Sequence, residues 1–323
     1  KADKVSNSVK KIIAEVKKGG DRSLLSLTNK YEKNNFKNIK DLEVSKSEIN
    51  NSLKQCTKDF IKSTKVAINR VKNYQKKLLP NNLIYKDKTG TKLGCLWKPI
   101  SSCGLYIPGG KAIYPSSVFM NAVAAKLAGV DRIVLVSPAR GKKISSEILA
   151  TAKLAGVNEI YMIGGAQAIA ALTYGTKTIR RVDKIFGPGN AFVAEAKKQV
   201  FGDVGIDSVA GPSEVMIVAE SGCDPEWIAI DLLSQAEHDE DARGILVSES
   251  LTLIKSVNRF IEKFLKNLER KSIAKLSIKN NGIAIKVPSI LSSVNIIDEI
   301  APEHLQIICK ENKKIVKRIK NAG

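Results

Sequence analysis

Two histidines occur in the 323 residues, and both stand among acid and amide side chains: Gln235-Ala236-Glu237-His238-Asp239 and Ala301-Pro302-Glu303-His304-Leu305. Imidazole ionises near neutral pH, so metal binding or proton transfer that needs it must run through His238 or His304. Gln235 and His238 are three residues apart. On a helix this spacing puts them on one face, where they can share a metal ion or stand as an exposed, chemically idle pair. In the second cluster Pro302 suits the first turn of a helix over residues 303–308. That helix would hold Glu303 and His304 at its positive end, which disfavours imidazolium; a neutral imidazole can act as a general base while the carboxylate prepares a water. A helix cap with an exposed glutamate is the alternative reading of the same residues.

The elements that must carry these residues show in the middle of the chain as an internal repeat. Ala125-Lys126-Leu127-Ala128-Gly129-Val130-Asp131 runs into Ile133–Val136, and a 27-residue shift yields Ala152-Lys153-Leu154-Ala155-Gly156-Val157-Asn158 running into Ile160–Ile163. Each copy reads as helix, glycine cap and strand. A weaker third copy, Val182 to Phe186, ends in Gly187-Pro188-Gly189-Asn190 and opens another helix. Strands alternating with helices at this spacing form right-handed crossovers and a parallel sheet covered on both faces, hence continuously apolar strands. Ligands of such sheets bind beyond the carboxyl ends of the strands. The loops there are Ser137-Pro138, Gly164-Gly165-Ala166-Gln167 and Gly187-Pro188-Gly189-Asn190. Their helix-start amides suit phosphates, and Gln167 and Asn190 offer directional hydrogen bonds. The dinucleotide fingerprint G-x-G-x-x-G is absent, so ordinary strand-to-helix turns fit them equally.

Two glycine-rich passages, Gly104-Leu105-Tyr106-Ile107-Pro108-Gly109-Gly110 and Gly205-Ile206-Asp207-Ser208-Val209-Ala210-Gly211-Pro212-Ser213-Glu214, flank the repeats. The fold class is therefore α/β, with two Rossmann-like lobes. A doubly wound lobe over 106–212 is expected to be inserted in a discontinuous lobe formed by 1–105 and 213–323, with a cleft lined by both passages. Asp224-Pro225-Glu226 starts the helix that carries Gln235, with Asp as cap and Pro in the first turn.

Composition bounds the function class. At 43% hydrophobic and 26% charged residues, with no apolar run long enough to span a bilayer, the chain reads as globular with no membrane partner. The net charge of +21 is strewn over amphipathic helices of residues 1–80 and 252–320, without the aromatic motifs of RNA readers. That argues against a nucleic-acid partner and for a cationic surface that attracts anions. Five cysteines, odd in number and without a C-x-x-C pair, argue against a disulfide framework or a thiolate zinc site and fit a reducing cytoplasm. Cys95 and Cys103 are candidate nucleophiles, but neither has an imidazole neighbour in sequence, which favours buried packing roles. The start at Lys1 without methionine and the stop at Asn321-Ala322-Gly323 lead to an expectation of truncation at both ends.

Six blocks together resemble histidinol dehydrogenase, in the family's order and over essentially the whole chain: Gly104–Gly110, Gly164–Ala170, Lys184–Phe192, Gly205–Glu214, Asp231–Asp239 and Ala301–Leu305. The resemblance implies oxidation of L-histidinol through the aldehyde to L-histidine by two successive hydride transfers to NAD, with Zn2+, in histidine biosynthesis and in a homodimer. By motif, Gln235 and His238 resemble zinc ligands that also border the substrate, Ser213 a substrate contact, and Tyr106, Gln167 and Asn190 dinucleotide contacts. Glu303 and His304 resemble the catalytic pair, His304 also touching substrate. Two further zinc ligands of the family, an Asp in a Gly-Asp-Tyr block and a C-terminal His supplied by the partner subunit of the homodimer, lie beyond Gly323 together with the family's small C-terminal domains. The zinc site implied here is therefore incomplete, and the chain as given is expected to bind zinc and substrate poorly or be inactive. A relative oxidising another alcohol, such as a sulfonated diol, and an inactive truncated scaffold are the alternatives.

Overall fold

The computed structural model describes residues 2–109, 113–209, 211 and 213–323. Gly110, Ala210 and Pro212 of the glycine-rich passages lie outside the described residues. The chain divides into two compact units, Lys1–Ala210 and Gly211–Gly323.

The first unit opens with α1 (Ala2–Glu32), α2 (Lys46–Gln55) and α3 (Lys58–Leu78), followed by an exposed antiparallel hairpin of β1 (Leu83–Lys86) and β2 (Lys92–Cys95). Then come β3 (Ser102–Tyr106), α4 (Pro115–Ala128), β4 (Arg132–Val136), α5 (Ser146–Leu154), β5 (Glu159–Tyr161), α6 (Gly165–Tyr174), β6 (Lys184–Phe186), α7 (Ala191–Val200) and β7 (Gly205–Ile206). The five strands from β3 onward form a parallel sheet in the order β5-β4-β3-β6-β7. The repeat read in the sequence is present: α4 ends at Gly129 in the left-handed conformation and feeds β4, and α5 ends just before left-handed Gly156 and feeds β5. Strand order reverses between β3 and β6, which opens a crevice at their carboxyl ends where Tyr106 and Gly187 meet.

Residues 1–105 do not join 213–323, and the expected discontinuous lobe is corrected. Val9, Ile12, Ile13, Val16, Leu24 and Leu27 make an apolar stripe on α1, and this stripe belongs to the same buried core as Leu105, Leu135, Ile160 and Ile185 of the sheet. A helix with such a stripe must bury it, and the helices α6 and α7 provide the surface it packs against. Ser6 donates to Glu195 at 2.7 Å, and Thr178 donates through its hydroxyl to Asp21 at 2.8 Å, which fixes the docking at two points.

The second unit contains β8 (Glu214–Ala219), α8 (Pro225–Ala236), β9 (Arg243–Ser248), α9 (Leu251–Leu265), α10 (Lys271–Asn281), β10 (Ile283–Lys286), α11 (Ser293–Ile300), β11 (His304–Ile308) and α12 (Asn312–Val316). Its four strands are parallel in the order β10-β9-β8-β11. Asp224 caps α8, accepting from Glu226 N at 2.8 Å, with Pro225 next to it as the sequence suggests. The helix expected over 303–308 is instead strand β11. Ala301, in the left-handed region at φ 50°, ends α11, and the following Leu305, Ile307 and Ile308 complete the sheet beside β8. Among the described residues no helix is long and apolar enough to cross a membrane.

Gly187 adopts φ 111°, and a Cβ there would overlap the carbonyl oxygen of Tyr106. Gly187→Ala is expected to destabilise the chain by roughly 2–4 kcal/mol through strain and backbone displacement at the β3–β6 crevice, measured by denaturant unfolding.

Candidate functional site

In the second unit the chemistry-bearing residues gather at the amino-terminal edge of the parallel sheet. Ser213 immediately precedes β8, and its carbonyl accepts from Arg243 N at the start of β9 at 3.0 Å. His304 opens β11 directly opposite Val215 of β8. Glu303 stands one residue earlier. Its Oε2 accepts from Glu214 N at 3.2 Å, and its Oε1 lies 3.9 Å from His304 Nε2, with both side chains more than half exposed. Glu214 in turn pairs with Arg243 at 3.1 Å, so a guanidinium and two carboxylates line this edge. The alternation of strand and helix accounts for the position: α8 runs back across the sheet and ends where β9 begins, bringing Gln235 and His238 to the same edge.

Gln235 lies in the last turn of α8, whereas His238 sits past its end, in a turn whose backbone N–H donates to Gln235 O at 3.1 Å. Arg270 holds that turn by donating to His238 O at 3.2 Å, which leaves the imidazole exposed. The helix over His304 that would have disfavoured imidazolium does not exist. His304 is the first residue of strand β11.

The remaining sequence-derived residues lie in the first unit, at the carboxyl edge of its sheet. Tyr106 ends β3, is 3% exposed, and accepts from Gly165 N at 3.1 Å through its hydroxyl; burial pushes its phenol up to about 12. Gln167 is 1% exposed and donates to Glu32 at 3.4 Å. Asn190 caps α7, accepting from Phe192 N at 3.1 Å and Val193 N at 3.2 Å, and remains exposed. A cavity of about 460 Å³ opens at the same edge beside the ends of β3 and β4, lined by Pro108, Gly109, Ser137 and Pro138 with Arg140 and Lys143. Its size and cationic rim suit part of a nucleotide.

Two elements of this edge escaped the sequence reading. Glu32, the last residue of α1, accepts from Gly164 N at 2.7 Å and Ala139 N at 3.1 Å, so it fills the helix start that the glycines seemed to leave for a phosphate. Nothing local in the sequence marks it. Lys197, buried, pairs with Asp207 and donates to Gly187 O at 3.1 Å, while Asp207 accepts from Gly187 N at 2.8 Å. Its signal was available: Lys197 interrupts the apolar stripe Val193, Ala196, Val200 of α7. Of the two cysteines considered for catalysis, Cys103 is buried and its thiol is pushed up to about 11, which removes it as a nucleophile, but Cys95 is exposed on β2 and the packing role expected for it is corrected.

The sequence profile of the histidinol dehydrogenase family matches residues 1–323. The chain belongs to the histidinol dehydrogenase family. Histidinol dehydrogenase of Rhizobium meliloti (strain 1021) is 45% identical over 322 residues, covering 100% of this chain and 74% of the relative. That of Pelagibacter ubique (strain HTCC1062) is 47% identical over 319 residues, covering 98% and 73%. The crystal structure of histidinol dehydrogenase from Elizabethkingia anophelis matches with a TM-score of 0.93 at 34% identity, covering 98% of this chain and 73% of that one. Membership in histidinol dehydrogenase makes the chain an oxidoreductase.

Among the described residues no group of three His, Cys, Asp or Glu side chains could hold a metal ion. Gln235 and His238 offer one oxygen and one nitrogen donor and fit at most half of a four-coordinate zinc shell.

Glu32 yields a pH prediction. Burial outweighs its three hydrogen bonds and lifts its carboxyl from 4.5 to about 7. Between those values the folded chain holds a proton that the unfolded chain has lost, so this contribution is full below pH 4.5 and fades as pH rises through 7. Denaturation at pH 4.5 and 7.5 is expected to show wild type losing up to about 3 kcal/mol more than Glu32→Gln over that interval.

Proposed function

We propose that the chain oxidises L-histidinol to L-histidine through the bound aldehyde, in histidine biosynthesis, with Glu303 and His304 as its proton-handling pair. The observation that carries this reading is the juxtaposition of Ser213, Glu303 and His304 across the adjacent strand starts of β8 and β11, in a member of this family. His304 accepts the hydroxyl proton in each oxidation, its imidazole being exposed and within reach of solvent to pass the proton on. Glu303, tethered by Glu214 N, keeps one oxygen toward the imidazole and activates the water that adds to the aldehyde carbonyl. The resulting gem-diol gives its proton to His304 in the second oxidation, and the carboxylate leaves.

NAD, when bound, would supply the hydride acceptor, one molecule for the alcohol oxidation and a second for the aldehyde oxidation. Asn190 and the loops carrying Tyr106 and Gln167 would hold it at the carboxyl edge of the first sheet, beside the cavity rimmed by Arg140 and Lys143. Zinc, when bound, would orient the amino alcohol and its imidazole, with Gln235 and His238 contributing two of its donors. Ser213 contacts the substrate. The functional assembly is a homodimer and the compartment the cytoplasm.

Glu303→Gln keeps the acceptor for Glu214 N but loses the base. Single-turnover NADH formation is expected to stay within a few-fold of wild type from histidinol and to fall about a hundredfold from histidinaldehyde. An equal fall in both half-reactions would remove this division of labour.

A further inference from the structure

The glycine loop that opens α6 offers backbone amides at a positive helix end, the arrangement that binds phosphate in many α/β proteins. Here the chain fills it from within. Gly164 N donates to Glu32 Oε1 at 2.7 Å, and Gly165 N donates to the Tyr106 hydroxyl at 3.1 Å. Glu32 Oε1 also accepts from Gln167 Nε2 at 3.4 Å, while Oε2 accepts from Ala139 N at 3.1 Å. One carboxylate from the end of α1 thus ties the loop after β4 to the loop after β5.

The tie bears on the cavity wall. Pro138, which lines the cavity, is immediately followed by Ala139 and packs so closely against Gly109 and Gly164 that a Cβ at either glycine would overlap it. Glu32 bonds on both sides of this contact, at Ala139 N and at Gly164 N, and so sets where Pro138 stands. Local capping would have satisfied the helix start without burying a charge: Ser145 caps α5 and Asn190 caps α7 with their own side chains, whereas α6 has no side-chain cap of its own. A remote carboxylate costs more, because its ionised form is desolvated. What it adds is a fixed distance between two loops.

We propose that Glu32 is a positioning residue of the dinucleotide site: its two carboxyl oxygens occupy the amino end of α6 and hold the 137–139 and 164–167 loops in the spacing that shapes the cavity. This rests on the reading that NAD binds at this edge. Tyr106 and Gln167 then act through the shape of the bonded set they belong to, which accounts for their near-complete burial.

Glu32→Gln keeps volume but offers one acceptor where the carboxylate offers two, turning its NH2 group toward a donor. Glu32→Asp keeps the charge and shortens the reach by one methylene, and it stands in if the first variant loses its fold. Equilibrium binding of NAD and of histidinol to wild type and both variants is the test, with thermal unfolding alongside. The expected result is a roughly tenfold weaker Kd for NAD in folded variants, with the histidinol Kd within about twofold of wild type. An unchanged NAD Kd in a folded variant overturns the proposal, as does an equal loss of both affinities or loss of fold in both variants, any of which assigns Glu32 to stability alone. Wild type that binds histidinol but no NAD overturns the nucleotide reading itself, and the positioning role falls with it.

Discussion

Parallel pairing is the constraint on which the rest of this molecule depends. Strands that all run one way need a crossover between each pair, so every strand start comes to one edge of the sheet and every strand end to the other. Residues far apart in the chain thereby become neighbours without any loop having to reach for its partner. Ser213, His238 and the Glu303-His304 pair share one edge for this reason, each standing at or just before the start of β8, β9 or β11. In the first unit the same constraint brings Tyr106, Gly164 and Gly187 to the opposite kind of edge, at the ends of β3, β5 and β6.

Crowding many loops at one edge leaves backbone amides that must be satisfied, and the first unit meets this demand with buried charge. Glu32 serves two loops and Lys197 with Asp207 serves a third, clamping both the N–H and the carbonyl of Gly187. Each clamp carries a desolvation cost, and at Glu32 that cost outweighs its three hydrogen bonds. Loops tied by such bonds at the reversal of strand order would suit the dinucleotide site proposed above, since order already present in the protein need not be gained on binding.

The second unit's edge is built differently. Its candidate side chains His238, Glu303 and His304 are exposed, and the hydrogen bonds there fix backbone: Arg243 N to Ser213 O, Arg270 to His238 O and Glu214 N to the Glu303 carboxylate. An open edge with fixed main chain leaves the imidazoles and the Glu303 carboxylate able to exchange protons with water, which suits proton transfer better than a sealed core does.

Much of this was legible in the residues. The 27-residue repeat, the apolar strands and the glycine caps predict the parallel sheet, because the periodicity of apolar side chains is set locally by which face is buried. Both histidine clusters and the loops of Gln167 and Asn190 were likewise visible as residue types. Three things were not. The strand over His304 was misread as a helix because Pro302 suits either a helix start or the residue after a left-handed break, and only the empty position beside β8 decides between them. The docking of α1 on α6 and α7 depends on which apolar face is nearest in space, which the amphipathic pattern of α1 does not specify. Glu32 is one more glutamate at a helix end until Gly164 and Ala139 are brought to it. The chain by itself determined the elements and the chemical inventory, since these follow from local pattern. Tertiary structure alone decided which carboxylate would be buried, because the desolvation of Glu32 and its hydrogen-bond partners come from segments more than a hundred residues away.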